Sequence, residues 1–314
     1  LNDWNASVRG QVLLALAKLG DNSSIPFILQ RLLDKRETSY NQAQALRTLG
    51  KLGDARASNA IIKAYEKANK YVNIRRAALQ ALWDLRQVVP QKTLTPFLRR
   101  ALDDNDTYII RKALIALGRL EDKASLFAVG ALLQHRSENL RNVAAYVLGQ
   151  IGDNRAIPLL VRALPFVRSG RLLNNISFAL QRLNDPKLLT RLTGFLKHRQ
   201  AFIRMNAAFT IGDMKLSKAR HILEKATCDP NLIVRNQAII ALAKLGDALA
   251  LPTLKKTITQ NTGEQRWLAM LASLYITKGK FRGPFFRRVL NSNNKIARRR
   301  AALTLASFGD QRVA

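Results

Sequence analysis

A pattern of Val-Arg, an Ala-rich apolar stretch and Leu-Gly-Asp recurs along this chain about every 32 residues. It runs from Val8-Arg9 to Leu19-Gly20-Asp21 near the start, and from Val234-Arg235 to Leu245-Gly246-Asp247 further along. Self-similarity at a fixed period predicts a repeat protein in which each unit packs only on its neighbours. A chain of 314 residues can therefore form one extended array instead of two separate cores.

The spacing inside one unit predicts two α-helices joined by a tight turn. Apolar residues recur at helical intervals of four, four and three, at Val234, Ala238, Leu242 and Leu245. Gly246 suits the left-handed residue that ends a helix, and Asp247 can cap the next helix. No window shows the sustained alternation that is typical of strands. The sequence therefore predicts an all-α fold.

Two finer expectations follow from the same unit. Asp229-Pro230 is expected to form the N-cap and first position of the helix that carries Val234. The small residues Ala238, Ala241 and Ala243 are expected to let a neighbouring helix approach closely.

At the Val/Ile-Arg pairs and the Gly-Asp turns the chain resembles the HEAT-repeat family, in particular bacterial HEAT-like repeats of the phycobilin-lyase type. The resemblance implies a right-handed α-solenoid of about ten HEAT-like helical hairpins that forms a single domain over 1–314. The expected units are 1–36, 37–70, 71–103, 104–137, 138–168, 169–200, 201–229, 230–260, 261–291 and 292–314. The chain starts without Met and stops just after Gly309-Asp310, so both ends are expected to be cut.

The arginines of the repeated pair admit two interpretations: a ladder of ligand contacts, or braces within the fold. The residues concerned are Arg9, Arg75, Arg141, Arg204 and Arg235. Pairing with the Asp of the same unit is not expected, because about 18 Å of helix separates Arg235 from Asp247. We favour the structural interpretation.

The charge exceeds what the repeat requires. The chain has 52 Lys and Arg against 21 Asp and Glu, and residues 158–314 hold 28 basic and only 7 acidic residues. Cations recur where the second helix of each unit is expected to end, and stacking would place them on one edge of the array. The helix dipole alone also favours cations there. This proposed basic stripe comprises Lys35, Arg36, Lys67, Lys70, Arg99, Arg100, Arg136, Arg168, Arg171, Lys197, Arg199, Lys225, Lys255, Lys256, Arg287 and Arg288.

A denser cluster follows near the end of the chain, with Phe281, Phe285 and Phe286 interleaved. Basic residues mixed with aromatics suit phosphate pairing and base stacking, although the phenylalanines can equally fill the core. The candidate anion-binding residues are Lys278, Lys280, Arg282, Arg287, Arg288, Lys295, Arg298, Arg299, Arg300, Arg168, Arg171, Lys197, Arg199, Lys255 and Lys256.

Signals for catalysis are weak. His135, His198 and His221 lie in separate repeats without metal-ligand spacing, and Cys228 is a lone cysteine. HEAT-like DNA glycosylases use aromatics and a carboxylate, but Trp83 and Asp84 diverge by about 100° on one helix, and core filling explains Trp267 as well. We predict no enzyme activity, no cofactor and no metal.

The function expected is a scaffold that binds a polyanion, with nucleic acid as the first candidate. The alternative is an adaptor that grips an acidic partner protein. A membrane surface is a further possibility without a visible anchor, and a HEAT-like DNA glycosylase or a bilin lyase relative comes last. A single cysteine and no signal peptide fit a cytoplasmic protein.

Overall fold

A computed structural model describes residues 1–185, 187–261 and 263–277, together with Arg299 and Ala302 as single helical positions. This part of the chain is helical and holds no β-strand. The first helices of the repeats, or A helices, are α1 Ala6–Leu19, α3 Ser39–Leu52, α5 Val72–Asp84, α7 Thr107–Arg119, α9 Glu138–Ile151, α11 Gly170–Leu183, α13 Ala201–Asp213, α15 Leu232–Leu245 and α17 Gly263–Thr277. The second helices, or B helices, are α2 Ile25–Leu33, α4 Ser58–Lys67, α6 Gln91–Arg100, α8 Leu126–Ala131, α10 Ala156–Ala163, α12 Leu188–Phe195, α14 Arg220–Ala226 and α16 Leu251–Gln260. The predicted all-α solenoid is confirmed.

The turn between the two helices of a repeat follows the predicted chemistry. Gly246 ends α15 with φ +68°, a left-handed conformation that glycine adopts without strain. Asp247 Oδ1 then accepts the Leu249 N–H at 2.9 Å and caps the short 3₁₀ turn that leads into α16. Where the glycine is missing, Asn184 takes the left-handed position at φ +46°. The predicted helix, Gly-Asp turn, helix unit is therefore correct.

The predicted start of α15 is wrong by two residues. Asn231, not Asp229, is the N-cap, and its side chain accepts the Ile233 and Val234 N–H groups. The Asp229 carboxylate instead pairs with Arg204 and accepts the Asn231 N–H at 2.9 Å. Pro230 consequently lies in the turn before the helix.

Neighbouring A helices approach each other through small residues. A Cβ placed on Gly212 of α13 would lie 2.6 Å from the Ala241 Cα of α15, and one on Gly50 of α3 would lie 2.7 Å from the Ala81 Cα of α5. Ala241 is fully buried, as the expected small-residue contact requires. The pairs α3–α5 and α13–α15 therefore stack almost backbone to backbone, while each B helix packs on the A helix that follows it.

The contacts divide the chain into two compact units, the first formed by Leu1–Asp153 and the second beginning at Asn154. The boundary falls in the turn between α9 and α10. The expected single domain of ten repeats over 1–314 stays a prediction. Among the described helices, none combines the length and the apolar character needed to cross a bilayer.

The close approach of the A helices predicts an unequal response to glycine replacement. We expect Gly212→Ala to lower stability by about 1–3 kcal/mol, because the new methyl group meets the backbone of α15 and the two helices must separate. Urea unfolding followed by circular dichroism measures the change.

Gly194→Ala is the matched control. Gly194 lies exposed in α12 with no atom within 4 Å of an added Cβ, so alanine is expected to be neutral or stabilising by about 0.5–1 kcal/mol. Equal stability of the Gly212→Ala protein and the unchanged protein would contradict the packing described above.

Candidate anion-binding surface

The five repeat arginines act as clamps inside the fold. In each, the Nη1 group donates to two consecutive backbone carbonyls that precede its own helix. Arg204 donates to the carbonyls of His198 and Arg199 at 2.7 and 3.0 Å, and Arg235 contacts those of Asp229 and Pro230 at the same distances. The same bonds form at Arg9, Arg75 and Arg141. The structural interpretation of these arginines is confirmed.

Three clamps also hold a carboxylate from the turn before the next A helix. The pairs are Arg9–Glu37, Arg75–Asp104 and Arg204–Asp229, at 2.7, 2.8 and 2.7 Å. Arg75 and Arg204 thus connect their own helices to the end of the preceding repeat and to the turn before the next A helix, whereas Arg9, in the first repeat, connects α1 to the turn before α3. These guanidinium groups are already committed and are not free for an external ligand.

Glu37 shows how strongly a clamp acts on its carboxylate. Burial raises the pKa of Glu37, but hydrogen bonds from Arg9, the Thr38 N–H and Asn41 outweigh it and lower the pKa to about 2. Those bonds measure 2.7 to 2.9 Å, and only 1% of the carboxylate side chain is exposed. Asp104 and Asp229 have lowered pKa values for the same reason, with burial again opposing the shift.

The histidines have local roles. His135 Nδ1 accepts the Ser137 N–H at 2.9 Å, and His198 Nδ1 accepts the Gln200 N–H at 3.1 Å. His221 lies 3.3 Å from the carboxylate of Glu224. Within the described ranges, no group of His, Cys, Asp and Glu has the arrangement of a metal site.

Two of the three residues weighed for a glycosylase-like site, Trp83 and Asp84, are engaged locally. The Trp83 ring lies 5.1 Å from the guanidinium of Arg86 and 5.9 Å from that of Arg119. Asp84 Oδ1 accepts the Gln80 side-chain N–H at 2.8 Å. Trp267 is half-buried and its Nε1 is enclosed.

Seven of the fifteen candidate cations fall on described residues. Six belong to the second unit: Arg168, Arg171, Lys197, Arg199, Lys255 and Lys256. The seventh, Arg299, is helical and exposed. The other eight lie outside the described residues, as do the interleaved phenylalanines: Lys278, Lys280, Arg282, Arg287, Arg288, Lys295, Arg298 and Arg300.

The prediction that the cations of the basic stripe lie at the ends of B helices is only partly correct. Lys67, Arg100 and Lys225 lie in the last turns of α4, α6 and α14. Lys255 and Lys256 lie in the middle of α16, which continues as far as Gln260. Arg168 follows α10, where its guanidinium lies 4.3 Å from the centre of the Phe202 ring.

Repeat register brings the second unit's cations together on its B helices. Leu160, Leu192, Leu223 and Leu254 are the fully buried equivalents in α10, α12, α14 and α16. Two residues further, about 200° around each helix, lie positions on the opposite, exposed face. Three of these four positions are cationic: Arg162, Lys225 and Lys256.

Two further lysines stand five residues before the buried leucine. Lys187 and Lys218 are exposed at the starts of α12 and α14. Neither belongs to the set predicted from the sequence, although counting back from the buried leucine would have found both. We call these five residues, Arg162, Lys187, Lys218, Lys225 and Lys256, the basic B face.

The basic B face lacks internal counter-charges. Residues 154–277 hold 19 Lys and Arg but 6 Asp and Glu. Arg204, Lys244 and Arg220 engage four of those carboxylates. Among the residues that the structure describes, no carboxylate forms an ion pair with any member of the basic B face.

Two cations at the equivalent positions of the first unit are ion-paired. Arg100, which corresponds to Arg162, pairs with Glu66 at 2.6 Å. Arg56, which corresponds to Lys187, pairs with Asp54 at 2.6 Å. Lys63, which corresponds to Arg162 in α4, is exposed and has no ion pair with any described residue, so two of the three first-unit cations at these positions are compensated.

Comparison with known families agrees with this architecture. The family model described as HEAT repeats matches residues 1–83, 27–113, 94–166 and 190–274. This chain belongs to the HEAT-repeat family. The narrower resemblance to the phycobilin-lyase type is not confirmed. No curated protein sequence matches this HEAT-repeat chain.

Solved structures with similar folds include karyopherins. Kap121p bound to the SUMO protease Ulp1p superposes with a TM-score of 0.72 at 12% identity, over 98% of this chain and 40% of that one. Kap95p in complex with RanGDP gives 0.67 at 12%, over 98% and 48%, and importin beta gives 0.61 at 14%, over 98% and 50%. This HEAT-repeat chain spans about half the length of those proteins or less, and the likeness is one of fold.

The clamp at Glu37 predicts a pH dependence for this HEAT-repeat protein. The folded pKa of Glu37 is lowered, so its stabilisation is complete above pH 4.5 and is lost as the pH falls toward 2. The loss is on the order of 3 kcal/mol. Glu37→Gln is therefore expected to lower the thermal midpoint at pH 7 and to differ little from the unchanged protein near pH 2.

Thermal unfolding from pH 2 to 7 checks this expectation. Glu66→Gln serves as control, since its pair with Arg100 is half exposed and contributes little. If Glu37→Gln kept the full acid sensitivity of the unchanged protein between pH 4.5 and 2, the clamp would not be its source.

Proposed function

We propose that this HEAT-repeat protein is a non-catalytic scaffold that binds an acidic protein partner through the basic B face of its second unit. The observation that carries the proposal is the row of five exposed cations without a carboxylate partner among the described residues, whereas two of the three cations at equivalent positions in the first unit are ion-paired. Surface cations gain little from isolated pairs, but an ordered row attracts an opposite charge pattern and speeds encounter.

The spacing of the row favours a protein ligand. Lys225 and Lys256 lie at one register on the B helices of successive repeats, α14 and α16, so they are separated by at least the distance of about 8–10 Å that is typical of directly packed helices. Acidic residues two turns apart on a helix are separated by about 10.5 Å, and residues three apart on an extended segment by about 10 Å. Duplex DNA instead carries one charge per roughly 1.7 Å, far denser than this row.

The fold also favours a protein ligand. The similar structures include Kap121p bound to Ulp1p and Kap95p in complex with RanGDP, so solenoids of this type hold protein partners in those cases. Repeat solenoids bind their ligands through extended surfaces, which the stacked helices hold in place. We extend that role to this chain.

Nucleic acid is a second candidate, favoured by one feature. Phe166 is 72% exposed just after α10, and Arg162 stands one turn before it. An exposed aromatic beside a cation suits base stacking on a single strand. The test below separates this candidate from an acidic protein.

The decisive variant is the triple Arg162→Glu, Lys225→Glu, Lys256→Glu. We expect it to weaken binding of fluorescein-labelled poly-glutamate at least tenfold, because three attractive contacts become repulsive. Fluorescence anisotropy with the full chain measures the affinity at increasing salt, and the affinity should fall as salt screens the row.

A control with the same charge change is Lys51→Glu, Lys92→Glu, Lys123→Glu, at exposed lysines of the first unit. It should change the affinity less than threefold, because scattered surface charges contribute little to binding. Equal losses in both triples would show that only net charge matters. Tight binding of a single-stranded oligonucleotide, lost in the first triple while poly-glutamate binds weakly throughout, would replace the acidic protein by nucleic acid.

A further inference from the structure

The first unit has a groove between the ends of α2 and α4. Its floor consists of the buried side chains Leu32, Ala68 and Ile74. Its walls are Leu33 and Tyr71, which remain 55% and 45% exposed. Two large apolar side chains thus face solvent around an apolar floor, an arrangement typical of binding grooves.

The groove has the capacity for one side chain of a ligand. Its volume is about 260 Å³. A dry protein cavity of about 150 Å³ holds benzene, so a leucine or an aromatic ring fits here with room for adjoining backbone. A complete drug-sized or cofactor-sized molecule needs about 300–1,000 Å³ and is too large.

The walls are held in place before any ligand arrives. Gln42 Nε2 donates to the carbonyls of Leu32 and Asp34 at 3.4 and 3.1 Å and ties the end of α2 to α3. Lys70 Nζ lies 5.3 Å from the centre of the Tyr71 ring. Because the groove is already formed, a ligand loses little free energy in ordering it.

The charge around the groove has one sign. Lys35 and Lys67 line it, and Lys70 stands beside Tyr71. The carboxylate in the lining, Glu37, is buried and neutralised by Arg9. Neighbouring Asp34 lies 3.3 Å from Arg31. An approaching ligand therefore meets uncompensated lysines around an apolar slot.

We propose that this groove captures a short linear segment of a partner protein that carries one leucine or aromatic side chain flanked by aspartates or glutamates. The apolar side chain enters between Leu33 and Tyr71, and the flanking carboxylates reach Lys35 and Lys67. This site goes beyond the function proposed for the second unit and does not depend on it.

The probe is a fluorescein-labelled peptide in which one leucine is flanked on both sides by glutamates, added to the full chain at about 0.15 M salt. Replacing its leucine by serine is expected to weaken binding about tenfold or more, since burying a leucine contributes about 1.5–3 kcal/mol. Ala64→Trp, which fills the groove from α4, should abolish the difference between the two peptides.

Lys35→Glu with Lys67→Glu should weaken binding of the leucine peptide by a similar factor. Lys51→Glu with Lys92→Glu is the control, because these exposed lysines of the same unit do not line the groove. Circular dichroism spectra verify that each variant is folded.

Two results would overturn the proposal. Equal affinity for the leucine and serine peptides would mean that only charge is recognised. Concentration-dependent self-association of the unchanged protein that Lys35→Glu with Lys67→Glu removes would assign the groove to a second copy of this chain.

Discussion

The guanidinium clamps are the interaction on which the stacking of repeats depends. Arg204 illustrates the principle, since it contacts the carbonyls that follow α12 and the carboxylate that precedes α15. A buried ion pair alone is weak evidence for stability, because desolvation offsets the attraction. Here both Nη1 donors of the arginine are satisfied by carbonyls, so the charge is paired and makes four hydrogen bonds in all. One side chain thereby fixes the relative positions of three consecutive segments.

The clamps also divide the charged residues into two classes. Carboxylates at repeat junctions, such as Glu37 and Asp229, are consumed by structural arginines. In the second unit few carboxylates remain after that, whereas cations continue to occur at exposed B-helix positions. The repeat requires a carboxylate at the junction to pair with the structural arginine. It places no packing requirement on the exposed positions of Lys225 and Lys256, so the basic B face can form there. Solvent-exposed repeat positions are not constrained by core packing, and in this protein they carry the basic B face.

Much of the fold was predictable from the sequence, because its determinants are local. The left-handed Gly246 and the capping Asp247 follow from three consecutive residues, and the small-residue contact at Ala241 follows from helical periodicity. The start of α15 was not predictable locally. Asp229 and Asn231 are both good caps, and the choice is made by Arg204, 25 residues earlier, which takes the Asp229 carboxylate.

The candidate site was harder to predict for a related reason. The composition shows a surplus of cations, but it does not show which of them form ion pairs with carboxylates. Arg100 and Arg162 are both exposed arginines in B helices, and only the structure shows that Arg100 has Glu66 as its partner. The groove at Leu33 and Tyr71 was also invisible in the sequence, since its floor and walls come from three consecutive repeats brought together by stacking.

Uncompensated charge has a cost that connects binding to folding. Like charges on one face repel each other and destabilise the compact state, and none of the carboxylates that the structure describes in the second unit forms an ion pair with its basic B face. A ligand that binds only the folded protein stabilises it by RT ln(1 + [L]/Kd), about 2.7 kcal/mol at a hundredfold excess over Kd. Screening by a partner's carboxylates relieves the same repulsion directly. Under the proposed function, the stability of the second unit and its occupancy by an acidic partner are therefore coupled, because binding to the basic B face favours the folded state.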